Sequence, residues 1–408
     1  MKQTVTPESP ASRLLDDYRP GSSFFMASAK RTMLAQGIRA EVPCPGGPDG
    51  LRRLPGEVAA TLQRSKASET DNPLAVGEVP FDRESPARLI VPETVRQAGP
   101  LPADPDAPAE RTTSSVANVE PIPGPAEYRR GVERALDRIR SGRSSKIVLA
   151  RTLQLLAESA VDIRALLRNL VRRNAHGYTF AVDLPLRGTA NDGLSSAVPT
   201  LVGASPELLV SRSGMRAVSN PLAGSLPRGG DPSEDARRAA ALLASAKDRR
   251  EHALVVEAVA AALKPFCVRL DVPTEPSLVH TATMWHLSTV VRGELADPSI
   301  SSLELAAALH PTPAVCGSPT EPARDAIRDI EPFDRGFYAG AVGWCDAAGD
   351  GEWAVAIRCA EVRDRRLRLF AGAGIVAGSD AEAELAETSA KFRTMLRAMG
   401  LDDDDVWS

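Results

Sequence analysis

Between Glu127 and Arg140 apolar residues recur at helical spacing, and Tyr128, Val132, Ala135, Leu136 and Ile139 form one face. A few residues later the period drops to two. SKIVLAR (Ser145–Arg151) reads as a strand with Lys146, Val148 and Ala150 on one side and Ile147, Leu149 and Arg151 on the other. The same two periods predict a helix over 162–173, a strand in YTFAVDL, a polar loop over 187–197, and strands in TLVGAS and ELLVSR. Helical stretches follow over Ser233–Ser245 and Lys247–Lys264. GAVGWCD, EWAVAIRCAEV and RLRLFAGAG read as three strands at hairpin spacing. Residues 1–96 mix turn signals with short apolar runs such as FFMA and RLIV, each suited to a short strand. Strands joined by short turns, with helices interspersed irregularly, predict an α+β protein with large antiparallel sheets rather than a doubly wound parallel one.

With 408 residues and 43% hydrophobic content, the chain has material for a sizeable core in one large domain or a few smaller ones. Four prolines in Gly99–Ala109 predict an extended connection, which either divides off an N-terminal subdomain or runs over the surface of one domain. A net charge of −4 gives no electrostatic reason to expect nucleic acid or an anionic membrane as partner. The longest aliphatic stretch, Ala253–Leu263, is broken by Glu257 and too short to span a bilayer. MKQTVTPESP lacks the apolar core of a secretory signal, so a soluble cytoplasmic protein is expected. Cys44, Cys267, Cys316, Cys345 and Cys359 show no metal-binding spacing and lie in apolar contexts, which predicts buried, reduced thiols.

The densest candidate chemistry lies between Phe370 and Lys391, FAGAGIVAGSDAEAELAETSAK. It reads as a glycine-rich turn, Gly372-Ala373-Gly374, running into a helix that aligns Glu384, Glu387 and Lys391 on one face. Ser379 with Glu382 reads as a capping box at its start. Such a face is either solvated or a site for a divalent cation beside an anion. The glycines can bring backbone N–H groups close to a carboxylate. Lys146, between aliphatic residues, faces either solvent or an enclosed polar cavity, where a neutral amine becomes a general base. Glu207, after a Ser-Pro turn, is either a locally bonded turn carboxylate or a general acid raised by apolar surroundings. Glu251 adjoins the charge run KDRREH, either a solvated face or a donor to a hard cation in an all-oxygen site. Arg358 lies on an otherwise apolar strand and is a candidate carboxylate clamp. Asn220–Ser225 reads as a polar turn that bends or admits a ligand. The histidines 252, 280 and 286 are not spaced as a zinc set, and no Walker A or strand-GxGxxG-helix context exists.

SKIVLAR, GASPELL, NPLAGSLPRG, KDRREH, TMWHL, LHPTPAVCGSP, GEWAVAIRCAEV and FAGAGIVAGS with AETSAK occur here in the order found in chorismate-utilising enzymes. The chain resembles the isochorismate synthases among them, from about Val119 to Leu401. The resemblance implies one domain over 1–408, with a less uniform portion 1–118 and a catalytic core 119–401. Its fold would be two large antiparallel sheets packed as a sandwich with helices around it. It also implies Mg²⁺-dependent conversion of chorismate to isochorismate, by water addition at C2 and loss of the C4 hydroxyl. In that mapping Lys146 activates water and Glu207 protonates the leaving hydroxyl. Glu251 and Glu387 bind Mg²⁺, with Glu384 beside the metal. Arg358, Lys391 and the amides of Gly372, Ala373 and Gly374 contact the substrate carboxylates. Ala223, Gly224, Ser225 and His286 line the pocket.

Relatives that use ammonia carry another residue at the Lys146 position, so lysine there implies water as nucleophile. Ala314 stands where the pyruvate-releasing salicylate synthases tend to have threonine. Tyr338 departs the other way, being tyrosine as in salicylate synthases, and keeps that activity as the alternative. A supply of 2,3-dihydroxybenzoate for a siderophore, a downstream isochorismatase, and a monomer or weak homodimer complete the expectation.

Overall fold

Short antiparallel connections dominate the chain, and they build two long sheets. A computed structural model describes residues 11–21, 23–104, 108–113, 115–183 and 197–401. Apart from Ala197, the loop predicted over 187–197 lies outside the described residues, as do residues 105–107 of the proline-rich connection. Among the described residues ten strands form one sheet, nine a second and three a third. Strands between Ser23 and Ala98 extend both large sheets.

The spine of the first sheet is the strand Lys146–Ala157 paired with Arg366–Val376, in register from Lys146↔Val376 to Arg366↔Leu156. On its other edge Arg366–Val376 pairs with Cys359–Arg363 only through Leu369. The half from Phe370 to Val376 therefore keeps that edge free of a strand. Gly372-Ala373-Gly374 is thus not a turn: it is strand interior, where small residues leave space beside an open edge.

The two large sheets share a core that includes Phe24, Phe180 and Ile147 from the first and Val76, Val342 and Trp353 from the second. A second apolar cluster on the outer face of the first sheet receives Leu14, Leu166 and Phe392 from the helices Ala11–Asp16, Ile163–Arg172 and Ala381–Met399. The sandwich with surrounding helices is as expected.

Two segments pass from one sheet to the other. Pro206-Glu207 links Thr200–Ser205 of the first to Leu208–Ser213 of the second, and Ala356–Arg358 links Gly351–Val355 of the second to Cys359–Arg363 of the first. The predicted single strand EWAVAIRCAEV is therefore broken at Arg358, whose φ of 52° lies in the region disfavoured for side-chain-bearing residues. The corners lie side by side: Ala204 N donates to Arg358 O at 3.0 Å, and Val355 N to Glu207 O at 3.1 Å.

Other local readings also shift. Asn220–Ser225 is largely strand: Leu222–Pro227 pairs with Met284–Ser288 in the small third sheet. Asp380, not Ser379, caps the helix Ala381–Met399, by accepting from Ala383 N, while Ser379 Oγ accepts from Val376 N. All five cysteines are free thiols; Cys316, Cys345 and Cys359 are buried, but Cys44 and Cys267 are half-buried.

Candidate active site

The open edge at Phe370–Val376 forms one wall of a cleft enclosing about 630 Å³, part of it open to solvent. Lys146 begins the strand Lys146–Ala157, and it is fully buried. Its Nζ lies 2.9 Å from Glu251 Oε1. Glu251 comes from the helix Ala246–Leu263, which Ser245 caps by accepting from Asp248 N; the helix's inward face carries Glu251, His252, Val255 and Val259. A Cβ on Gly374 would lie 2.3 Å from Glu251 Oε1 and 2.9 Å from Lys146 Cε. Only glycine leaves room for this pair against the strand.

Two more lysine–carboxylate pairs complete this wall. Lys391 Nζ is 2.6 Å from Glu387 Oε1 and donates to Gly372 O at 2.8 Å. Lys247 Nζ is 3.0 Å from Glu384 Oε1, joining the first turns of two helices. Burial, reinforced by the neighbouring Glu387, raises the Glu384 carboxyl above its ordinary value. Arg151, buried beneath, ties the Lys146 strand to the helix Ala381–Met399 by donating to Thr388 Oγ1 at 2.8 Å and to Ser389 Oγ.

The opposite wall holds the two sheet-crossing corners. Glu207 is buried, and Leu222 N donates to its Oε1 at a long 3.4 Å. Burial pushes its carboxyl up to about 7, against the opposing pull of the Leu222 amide and of Lys146, Lys391 and Arg358. Arg358 is also buried, and among the described residues no carboxylate lies within ion-pair distance of it. Its Nη1 has no hydrogen-bond partner, its Nη2 is 3.5 Å from His286 Nε2, and burial pulls the guanidinium down to about 10. Because Arg358 only donates, His286 presents Nε2 as acceptor and keeps its proton on Nδ1, 2.7 Å from Ser225 Oγ. Burial, then the charges of Arg358 and Lys391, hold this imidazole neutral.

Tyr338 stacks on Phe370 with centroids 4.9 Å apart and lays its hydroxyl against Gly372. Ala223, Gly224, Ser225, Ala314 and Lys391 also line the cleft. Three of the expected residues do not: Ala373 is fully buried away from it, Glu384 is sealed against Lys247, and Lys146 is buried against Glu251.

The structure adds residues that spacing alone did not single out. Arg335 bonds Glu331, Val148 O and Val315 O, fixing the wall under Tyr338. Pro206, Ile357 and Leu222 give the cleft its apolar lining. Lys247 lay in view within KDRREH, where a charge run hides its individual members.

These elements recur elsewhere. The pattern of the family described as chorismate binding enzyme matches residues 57–400. The chain belongs to the chorismate-binding enzymes. It is 56% identical over 402 residues to the isochorismate synthase DhbC of Bacillus subtilis, covering 98% of this chain and 99% of that one. The vibriobactin-specific isochorismate synthase of Vibrio cholerae is 43% identical, covering 96% of this chain and 95% of its own. A crystal structure from Bacillus anthracis, assigned as a 2,3-dihydroxybenzoate-specific isochorismate synthase, DhbC, superposes with a TM-score of 0.89. It shares 52% identity and covers 96% of this chain and 100% of that one.

The family implies a divalent cation. Among the described residues no ready-made group of three Asp, Glu, His or Cys ligands converges. Glu251, Glu384 and Glu387 are each bonded to a lysine. Carboxylate oxygens are the right donors for a hard cation, their partners are flexible ammonium groups, and Gly374 clears the space at Glu251. The residues fit Mg²⁺.

Proposed function

We propose that the chain is an isochorismate synthase that converts chorismate to isochorismate for a 2,3-dihydroxybenzoate siderophore. Full-length similarity to DhbC supports the reaction and its pathway. The observation that supports the chemistry is that Glu207 lines the cleft while Lys146, buried behind the cleft residue Glu251, lies near enough for its charge to act on the Glu207 carboxyl. Burial raises the Glu207 carboxyl to about 7.

Lys146 acts as the neutral amine, having released its ammonium proton on parting from Glu251, and takes a proton from water as it adds at C2; Glu207, still protonated near neutrality, gives one to the hydroxyl leaving C4. One water enters and one departs, so the reaction is a net isomerisation. Each proton transfer contributes ~10²–10⁴-fold. Arg358, a buried cation with an unused donor, takes one substrate carboxylate. Lys391 and the open-edge amides near Gly374 take the other. Glu251 and Glu387 would hold Mg²⁺, with Glu384 behind; when bound, the ion supplies Lewis acidity and counter-charge to the ring carboxylate. Three lysines already balance three carboxylates, so a dication and a dianion bring opposite charges to the same place and each favours the other.

No helix of the described residues is long and apolar enough to cross a membrane. Free thiols at all five cysteines fit a reducing compartment, and a cytoplasmic enzyme acting upstream of an isochorismatase completes the proposal. Incubation of the purified protein with chorismate and Mg²⁺, followed by chromatography, tests it. Isochorismate is expected. Salicylate with equimolar pyruvate would instead assign Tyr338 to the lyase-type pocket, and unchanged chorismate would remove the enzyme.

A further inference from the structure

Lys247 does no work in the chemistry above, yet its place calls for a cause. It is the second residue of the helix Ala246–Leu263, where a positive charge meets the positive end of the helix dipole. Asp248 beside it and Glu384 opposite offset that cost. Glu384 is nearly sealed, with 2% of its side chain exposed, while 36% of the Lys247 side chain reaches solvent. The three lysines differ in freedom. Lys146 is enclosed, and Lys391 is held by both Glu387 and a carbonyl. Lys247 alone of the three has an outward path along which its ammonium can withdraw without breaking the wall.

We propose that Lys247 is a built-in competitor of the divalent cation for Glu384, and thereby sets how tightly the enzyme takes up Mg²⁺. A lysine within 3.0 Å of the innermost carboxylate lowers the negative potential that a dication would feel. An ammonium that swings outward uncovers the Glu384 charge to an ion held by Glu251 and Glu387, and its return favours metal release. The site thus holds the ion loosely enough to exchange it. This inference rests on the reading of Glu251, Glu384 and Glu387 as the metal-side carboxylates.

Calorimetric titration of the whole protein with Mg²⁺ alone, without chorismate, tests it. Lys247→Ala is expected to bind Mg²⁺ about tenfold more tightly than the parent, because one competing charge is gone. Lys247→Arg, whose planar fork grips a carboxylate with two donors, is expected to bind it as the parent does or more weakly. Lys247→Gln, which keeps the shape without the charge, is expected to follow the alanine variant and serves should alanine perturb the helix. Alanine and glutamine variants that bind Mg²⁺ no more tightly than the parent would overturn the proposal while leaving the metal reading intact. A parent protein that takes up no Mg²⁺ would overturn both.

Discussion

The two walls of the cleft handle buried charge in opposite ways. On the Gly374 side Glu251, Glu384 and Glu387 each have an ammonium within 3.0 Å, and these three pairs are neutral by themselves. On the corner side Glu207 and Arg358 are buried without such partners, and both are pushed toward their neutral forms, to about 7 and about 10. The first wall is stable as built and must be rearranged to act. The second is strained as built and is relieved by a proton, an anion or both. Catalysis needs that difference: a group poised to give a proton, and a cation that gains most from a ligand's carboxylate.

Substitutions can break this contrast. The largest effect is expected for Lys146→Gln and Glu207→Gln, each lowering kcat by ~10²–10⁴-fold in a chorismate turnover assay. Stability should then separate the walls. Lys146→Met strands a buried Glu251 carboxylate and is expected to cost about 3–5 kcal/mol in a denaturant titration. Arg358→Met removes a buried charge that lacks a partner, so its unfolding midpoint without ligand should stay level or rise. Its KM for chorismate should rise roughly tenfold or more, as fits the loss of a charged hydrogen bond worth about 1.5–3 kcal/mol. A strong loss of stability in Arg358→Met would end the contrast.

Gly374→Ala sharpens it differently. The new methyl meets only the flexible ends of Glu251 and Lys146, so the protein should fold normally while turnover falls. A clear drop in melting temperature would show that the glycine serves the sheet instead.

The smallest effect concerns pH. Glu207 acts while protonated, so kcat should fall as pH rises past about 7. Its folded-state pKa lies above the ordinary carboxylate value. The unfolded chain therefore releases this proton first, and the resulting loss of stability enters between about 4.5 and about 7. Glu207→Gln should remove that loss.

The periodic elements were legible because their burial is one-sided: the strand from Lys146 and the helices before and after it follow the alternation of their apolar residues. The site was legible through motif order more than through local spacing. Gly372-Ala373-Gly374 looked like a turn because glycine runs signal bends as readily as they signal room beside a strand edge. The break at Arg358 was invisible because the apolar residues on both sides continue in unbroken β-type sequence, while the chain changes sheets between them. That Glu207 and Arg358 occupy adjacent corners is a property of two sheet crossings more than a hundred residues apart. Lys247 was hidden by company: in KDRREH only the three-dimensional partner distinguishes one charge from the next.

The most direct test of the acid–base pair across the cleft is turnover of chorismate in water enriched in oxygen-18, with the product examined by mass spectrometry. Isochorismate carrying the heavy oxygen at C2 is predicted, with its formation suppressed in both Lys146→Gln and Glu207→Gln. Unlabelled isochorismate, with the C4 hydroxyl simply passed to C2, would contradict the account.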